Sequence, residues 1–279
     1  MVQMRSADFE RDGFVVVPNA IDADMIAALR DAAAGSVDAF DVEANKSVFQ
    51  TNDRDAGRDD YFFDSAEAVH CFLEEGALDA DGNLLKPKRL AINKIGHALH
   101  DRHDQFAAFC RLPVLGSLVR ELGFVHPVVQ QSMYIFKQPD IGGEVRWHQD
   151  ASYLSVEDGA GLGIWVALED ATQDNGCLWM MPGQQHSALR EIYEVDWSAG
   201  VGTLRTLDDA PWQPLGVEPI PVEVKAGSLV LFSDHIPHYS AANTSSASRH
   251  AMIVHVIERD ARWSAKNWLQ RRELQPFAI

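Results

Sequence analysis

Apolar residues recur at two different spacings along this chain, and the change falls near Gly123. Upstream, the opening predicts helix, strand, helix: an amphipathic start ends at Gly13, and a continuous apolar run from Phe14 to Val17, closed by Pro18, reads as a strand. Ile21, Met25, Ile26 and Leu29 then share one helical face, with Asp22 and Asp24 at the first turn and Gly35 as the expected stop. Residues 97 to 123 predict a second helical stretch in two pieces, the later one opened by Pro113 and carrying Leu115, Leu118 and Leu122 to Gly123. Between these stretches, from Asp38 to Asn83, periodicity gives way to acid-rich sequence with a turn at Asp81-Gly82-Asn83, and a surface loop region is expected.

Downstream of Gly123, short runs of β-branched and aromatic residues alternate with Gly, Pro, Asn and Asp. The expected strands are 128–136, 163–169, 177–181, 221–224, 228–232 and 250–258. Short strands at this spacing indicate a sandwich or double-sheet barrel. The predicted plan is α+β with a mainly β core: one domain over residues 1–279, with a helical, loop-rich front (1–123) packed on one side of a β-rich core (124–279).

Charge narrows the function classes. The net charge is −17 over 279 residues, and residues 1–85 hold 19 acids against 6 bases. A field of that sign disfavours nucleic acid and anionic membrane as partners, and a small molecule is the expected one. The oligomeric state is not legible. No long apolar run suggests a spanning helix or a secretory leader, and the three cysteines (Cys71, Cys110, Cys177) read as structural thiols in a reducing compartment. The closing Pro276-Phe277-Ala278-Ile279 is not a peroxisomal address, so a cytoplasmic location is expected.

The chemistry is concentrated in two segments. His148-Gln149-Asp150 follows the Gly142-Gly143 bend and, if extended, turns both outer side chains to one face. Such a triplet arises by chance in a chain of this composition. It gains meaning from a second cluster, His235, His238, Tyr239, Ser240, Asn243 and Arg249, after the strand at 228–232. Two histidines and one carboxylate occupy one face of an octahedral ion and leave three positions open, the arrangement of non-haem Fe(II) oxygenases. Arg249, at the mouth of a buried strand, needs a carboxylate partner, which a dicarboxylate cosubstrate would supply.

At these residues the sequence resembles the phytanoyl-CoA dioxygenase family, whose pattern is His-x-Asp followed by a distant His-x-Ser-x-x-Asn-x-Ser-x-x-x-Arg. Here the second part is His238, Ser240, Asn243, Ser245 and Arg249. The segments 93–100, 131–139, 176–179 and 267–270 extend the resemblance to the domain-containing protein 1 group of that family. It implies a double-stranded β-helix of the jelly-roll or cupin type, an Fe(II)/2-oxoglutarate dioxygenase, and O2 as co-reactant with succinate and CO2 as products. It also implies that His148, Asp150 and His238 bind iron and that Arg249 with Ser240 holds the distal carboxylate. Lys94, Met133 and Trp165 match residues that line the cosubstrate pocket. The family's Pro-Gly-Ser-His is replaced by Pro182-Gly183-Gln184-Gln185-His186, and His186 receives no role.

Other readings of the same residues define alternatives. His235 is a rival to His238, though only His238 stands at the right offset from Ser240, Asn243 and Arg249. His97, His100 and His103, beside Asp101, Arg102 and Asp104, read as a solvated helix face. Gln149 either meets solvent or steers substrate, and Trp147, Tyr153 and Tyr134 line a pocket or pack in a β core. The acidic run Asp53 to Asp64 reads as solvated loop. The alternatives in function are a metal-dependent hydrolase or isomerase on the same cupin-like fold, and a non-catalytic 2-oxoglutarate sensor. No basic cluster adjoins the motifs to receive the phosphates of a CoA thioester, so a smaller substrate is expected.

Overall fold

A computed structural model describes residues 2–49, 59–212 and 216–279. The helices are α1 Val2–Asp12, α2 Ala23–Ala39, α3 Asp60–Asp64, α4 Lys88–Ala91, α5 Leu99–Arg102, α6 Asp104–Cys110 and α7 Pro113–Glu121. The first seven strands are β1 Phe14–Val17, β2 Val69–Leu73, β3 Ile92–His97, β4 Pro127–Ile135, β5 Val145–His148, β6 Leu162–Ala167 and β7 Leu178–Met180. The rest are β8 Glu191–Asp196, β9 Val201–Thr206, β10 Ile220–Val222, β11 Leu229–Ser233, β12 His238–Ser240, β13 Ala251–Glu258 and β14 Phe277–Ala278.

Two antiparallel sheets form a jelly roll. The larger runs β1-β11-β6-β13-β4-β3-β2, with β14 beside β4, and the smaller runs β10-β7-β12-β5. Strand alternation divides the larger sheet into two faces. On β13, Met252, Val254 and Val256 join the helix-side core with Leu29, Phe106 and Val119, while Ala251 and Ile253 meet Leu178 and Met180 of the smaller sheet. Strands buried on both faces read as continuous apolar sequence, which is why their positions were predictable and their two faces were not.

The front corrects several expectations. Besides β1, which falls where the Phe14–Val17 run predicts a strand, it supplies two unpredicted strands, β2 and β3, to the larger sheet. The acid-rich region contains α3 and β2, and Glu74, expected in a surface loop, is buried and accepts from Asn93 Nδ2 at 2.9 Å. Of the acidic run, residues 53–58 lie outside the described residues, while Asp59 caps α3 by accepting from Phe62 N at 2.8 Å. Asp22 caps α2 in the same way through Met25 N, but that helix runs on through Gly35, where helix interior tolerates glycine at about 1 kcal/mol. The stretch from 97 to 123 forms three helices instead of two pieces, and Gly123 ends the last at φ +103, in the left-handed region that favours glycine. A separate hairpin, β8 with β9, went unread because it holds four charged residues among twelve.

Candidate active site

A cavity of about 470 Å3 opens between the two sheets. β5 and β12 pair antiparallel with His148 directly opposite His238, their ring centroids 4.1 Å apart. β5 stops at His148, yet Gln149 stays extended, so Asp150 returns to the same side at the start of a short 3-10 turn, Asp150–Ser152. Asp150 Oδ1 lies 3.4 Å from His148 Nε2 and 3.7 Å from His238 Nε2. Among the described residues this trio is the one group of three or more His, Cys, Asp or Glu side chains whose ligand atoms converge, all within 4.8 Å of one another.

Hydrogen bonding prepares each ring to present Nε2. His148 Nδ1 donates to the Arg146 carbonyl at 2.8 Å and His238 Nδ1 to that of Ile236 at 3.0 Å, which fixes both tautomers. Burial, reinforced by neighbouring His148, pushes His238 down to about 4, so its ring is neutral at physiological pH. Burial alone would raise the Asp150 carboxyl, but the facing His255 and His238 rings and the hydrogen bond from His255 hold it well below the usual carboxylate range. A carboxylate and two imidazoles presenting Nε2 are the donor set a divalent iron site requires.

Arg249, predicted at the mouth of a strand, is 2% exposed, with Nε and Nη1 buried and lacking any hydrogen-bond partner among the described residues. Its guanidinium carbon lies 5.4 Å from the Trp165 ring. Burial pushes its pKa down to about 10, so the group stays charged at neutral pH. Buried charged donors without an acceptor are strongly unfavourable, and a carboxylate of a bound molecule would satisfy them. The trio and this arginine line the same cavity, and the residues present therefore fit both iron and a dicarboxylate.

Lys94 on β3, Met133 on β4, Trp165 on β6 and Ser240 on β12 also line the cavity. Ser240 Oγ donates to the Gly176 carbonyl at 2.9 Å, so its hydroxyl must rotate before it can donate to a carboxylate. His235 does not join the trio; its Nδ1 meets Asp234 Oδ1 at 2.8 Å. Gln149 follows neither expectation, for it is fully buried and its amide donates to the His235 carbonyl at 2.9 Å, bracing the turn that carries Asp150. Tyr153 lines the cavity, Tyr134 packs on the helix side, and Trp147 stacks on Tyr239 with centroids 5.3 Å apart. His186 is exposed.

The expectation of a solvated face at His97, His100 and His103 is overturned. His97 lies on β3 and is buried, with Nδ1 2.7 Å from Ser65 Oγ. His100 is fully buried, with Nδ1 2.7 Å from Ser132 Oγ and Nε2 3.0 Å from Arg271. Burial lowers its pKa and keeps it neutral, so the equally close Asp101 Oδ2 is held by Arg271 and not by an imidazolium. His103 caps α6, accepting from Gln105 N at 3.2 Å. Two cavity residues escaped the sequence reading. Lys137 donates through Nζ to the carbonyls of Ala241 at 2.6 Å and Gly143 at 2.8 Å, and its own carbonyl accepts from Arg249 N at 3.2 Å. His255 reaches Asp150 Oδ2 at 2.9 Å, and its two-residue offsets from Ile253, Ala251 and Arg249 were the available signal.

A jelly roll with two histidines and one carboxylate at a cavity, beside a buried arginine awaiting an anion, defines the architecture of a non-haem iron oxygenase. The chain belongs to the phytanoyl-CoA dioxygenase (PhyH) family, whose model matches residues 9–251, and is thus an oxidoreductase. It is 41% identical over 266 residues to phytanoyl-CoA dioxygenase 1 of Oryza sativa subsp. japonica, covering 95% of this chain and 92% of that one. It is 40% identical to the phytanoyl-CoA dioxygenase domain-containing protein 1 homolog of Caenorhabditis elegans, covering 96% of each. The crystal structure of EctD from S. alaskensis with 2-oxoglutarate and 5-hydroxyectoine shares the fold, with a TM-score of 0.64 at 22% identity over 96% of this chain and 83% of that one.

Proposed function

We propose that this chain is an Fe(II)- and 2-oxoglutarate-dependent dioxygenase that oxidises a small organic substrate and releases succinate and CO2, with residues 1–279 working as one domain. The observation that carries the reading is the buried Arg249 guanidinium, whose Nε and Nη1 have no partner among the described residues, in the same cavity as the His148-Asp150-His238 trio. In this reading those three residues hold iron and Arg249 holds the distal carboxylate of 2-oxoglutarate. When bound, iron with 2-oxoglutarate and O2 would supply the oxidising power for attack on a C–H bond.

The remaining roles belong to the chain. The Arg146 and Ile236 carbonyls keep the two imidazoles aimed inward. Trp165 and Met133 form an apolar wall beside the cosubstrate, Lys94 adds positive charge, and Ser240 contributes after its hydroxyl turns from Gly176. Phe62, Phe72, Leu154 and Trp268 wall the region near Tyr153, which suits a compact, largely apolar substrate. Several lining cations are committed: Arg146 to Glu191 at 2.7 Å, Lys46 to the Gly82 carbonyl at 2.8 Å, and Lys137 to the carbonyls already described. That commitment argues against a CoA thioester. The three buried free thiols support work in a reducing, cytoplasmic compartment, and no helix among the described residues is long and apolar enough to cross a membrane.

A zinc hydrolase or isomerase built on the same trio would leave Arg249 without a partner. The test is anaerobic addition of Fe(II) and 2-oxoglutarate, which should give the visible charge-transfer band of the chelate in the native protein and none in His148→Ala. No band, or one unchanged by the substitution, would remove the dioxygenase reading. A band without succinate on admission of O2, across a metabolite panel, would favour the sensor.

A further inference from the structure

Asp150 is approached by three imidazoles, and only two of them belong to the converging trio. Resting on the proposed iron site, we infer that His255 is a positioning residue that holds the outer oxygen of Asp150, so that this carboxylate offers the metal one oxygen and occupies one coordination position. The division is visible in the geometry. Oδ1 lies 3.4 and 3.7 Å from the Nε2 atoms of His148 and His238, while Oδ2 lies 2.9 Å from His255 Nε2. A charge-assisted hydrogen bond on Oδ2 competes with its closing on the metal as a second ligand atom. Were Asp150 to chelate, only two of the six octahedral positions would stay open.

Nothing else in the structure accounts for a histidine at this position. His255 lies on β13, between β6 and β4, in a run of Val and Ile that an apolar side chain would continue. It is 5% exposed, and its Nδ1 is buried with no partner among the described residues. A buried polar ring left half satisfied lowers stability relative to an apolar one, so its one bond, to Asp150, carries the reason for its presence. His255 is not a fourth ligand, because its ring faces the outer oxygen and lies outside the group whose ligand atoms converge. Asp150 has little else to orient it: its backbone is fixed by the turn through Tyr153 N at 2.9 Å, and among the described residues the hydrogen bond its side chain accepts comes from His255.

Co(II) is a suitable probe, since its d–d absorption reports both affinity and coordination without turnover. Two variants separate positioning from packing. His255→Gln places an amide N–H where Nε2 stood, whereas His255→Asn is equally polar but one methylene too short to reach Asp150. The Asn variant should bind Co(II) roughly 10- to 100-fold more weakly, with an altered d–d spectrum, while the Gln variant stays within about 3-fold of wild type with an unaltered spectrum. An Asn variant matching wild type in affinity and spectrum, or a Gln variant as weak as the Asn variant, overturns the inference. His148→Ala is the control. If wild type fails to bind Co(II), or binds it no better than His148→Ala, the iron-site reading itself falls, which is a distinct result.

Discussion

Two histidine–carboxylate clusters lie on opposite sides of the larger β sheet, and only one of them lines the cavity between the sheets. In the first, His148 and His238 each commit Nδ1 to a backbone carbonyl and turn Nε2 toward Asp150 and the cavity. In the second, His100, Asp101 and Ser132 form a set that resembles a hydrolase triad on paper. There His100 is tied through Nδ1 to Ser132 and through Nε2 to Arg271, which is also paired with Asp101 at 2.8 Å, and neither His100 nor Ser132 lines the cavity between the sheets. A side chain whose hydrogen-bonding atoms are all engaged stabilises the fold, while one that withholds an atom toward open space is available to a ligand. The same rule picks out Arg249 over Arg271: the first has buried donors without acceptors among the described residues, whereas both terminal nitrogens of the second are engaged.

The largest expected effect breaks the comparison at its root. His148→Ala should weaken Fe(II) or Co(II) binding beyond the roughly 100-fold that loss of an outer partner produces, with metal-free melting close to wild type. His100→Ala should do the reverse, lowering stability by about 2–4 kcal/mol in denaturant unfolding because Arg271 and Ser132 lose a buried partner, while metal affinity holds. If the second variant lost metal and kept its stability, the division between the clusters would be wrong.

Arg249→Ala should weaken 2-oxoglutarate by about 1.5–3 kcal/mol for each charged hydrogen bond lost, with metal affinity unchanged, as read by anaerobic calorimetry. Equal loss of metal and cosubstrate would count against its assignment.

A smaller effect concerns pH. Burial, with Arg249 nearby, pushes Lys137 down to about 7, below its ordinary value, so in the free protein it sheds its proton as pH rises through neutrality. A dianion bound alongside raises that pKa again, so binding above pH 7 must draw a proton in, and 2-oxoglutarate affinity should fall between about pH 7 and 9. Lys137→Met should flatten this slope, and calorimetry in two buffers of different ionisation heat should show proton uptake only in wild type. Parallel slopes would refute it. Smallest of all, the net charge of −17 opposes a dianion at long range, so raising salt from about 0.05 to 0.3 M should change 2-oxoglutarate affinity less than about 3-fold. A steep loss would mean that binding draws on surface charge.

The strands of the back half were legible where Val, Ile and aromatic runs are bounded by polar or turn-forming residues, as at β4, β6, β11 and β13. β5 and β12, which bring His148 against His238, are only four and three residues long, and strands that short leave no period to detect. β2 and β3 hid beside acid-rich sequence because their inward side chains include Phe72 and Lys94, a pairing that reads as neither helix nor amphipathic strand.

By itself the sequence determined which ligand types the protein carries, the spacing that joins Asp150 to His148 and Arg249 to His238, and the strand-rich core that brings distant segments together. Only the tertiary structure decided which of those polar atoms are engaged. His100 and His148 look alike in the chain, each with an acid one or two residues on. They part because Ser132 and Arg271 arrive at the first from 32 and 171 residues away, whereas across from the second stands His238 with a cavity between the sheets. Hydrogen-bond commitment is set by partners that folding delivers from elsewhere, and local pattern carries no record of them.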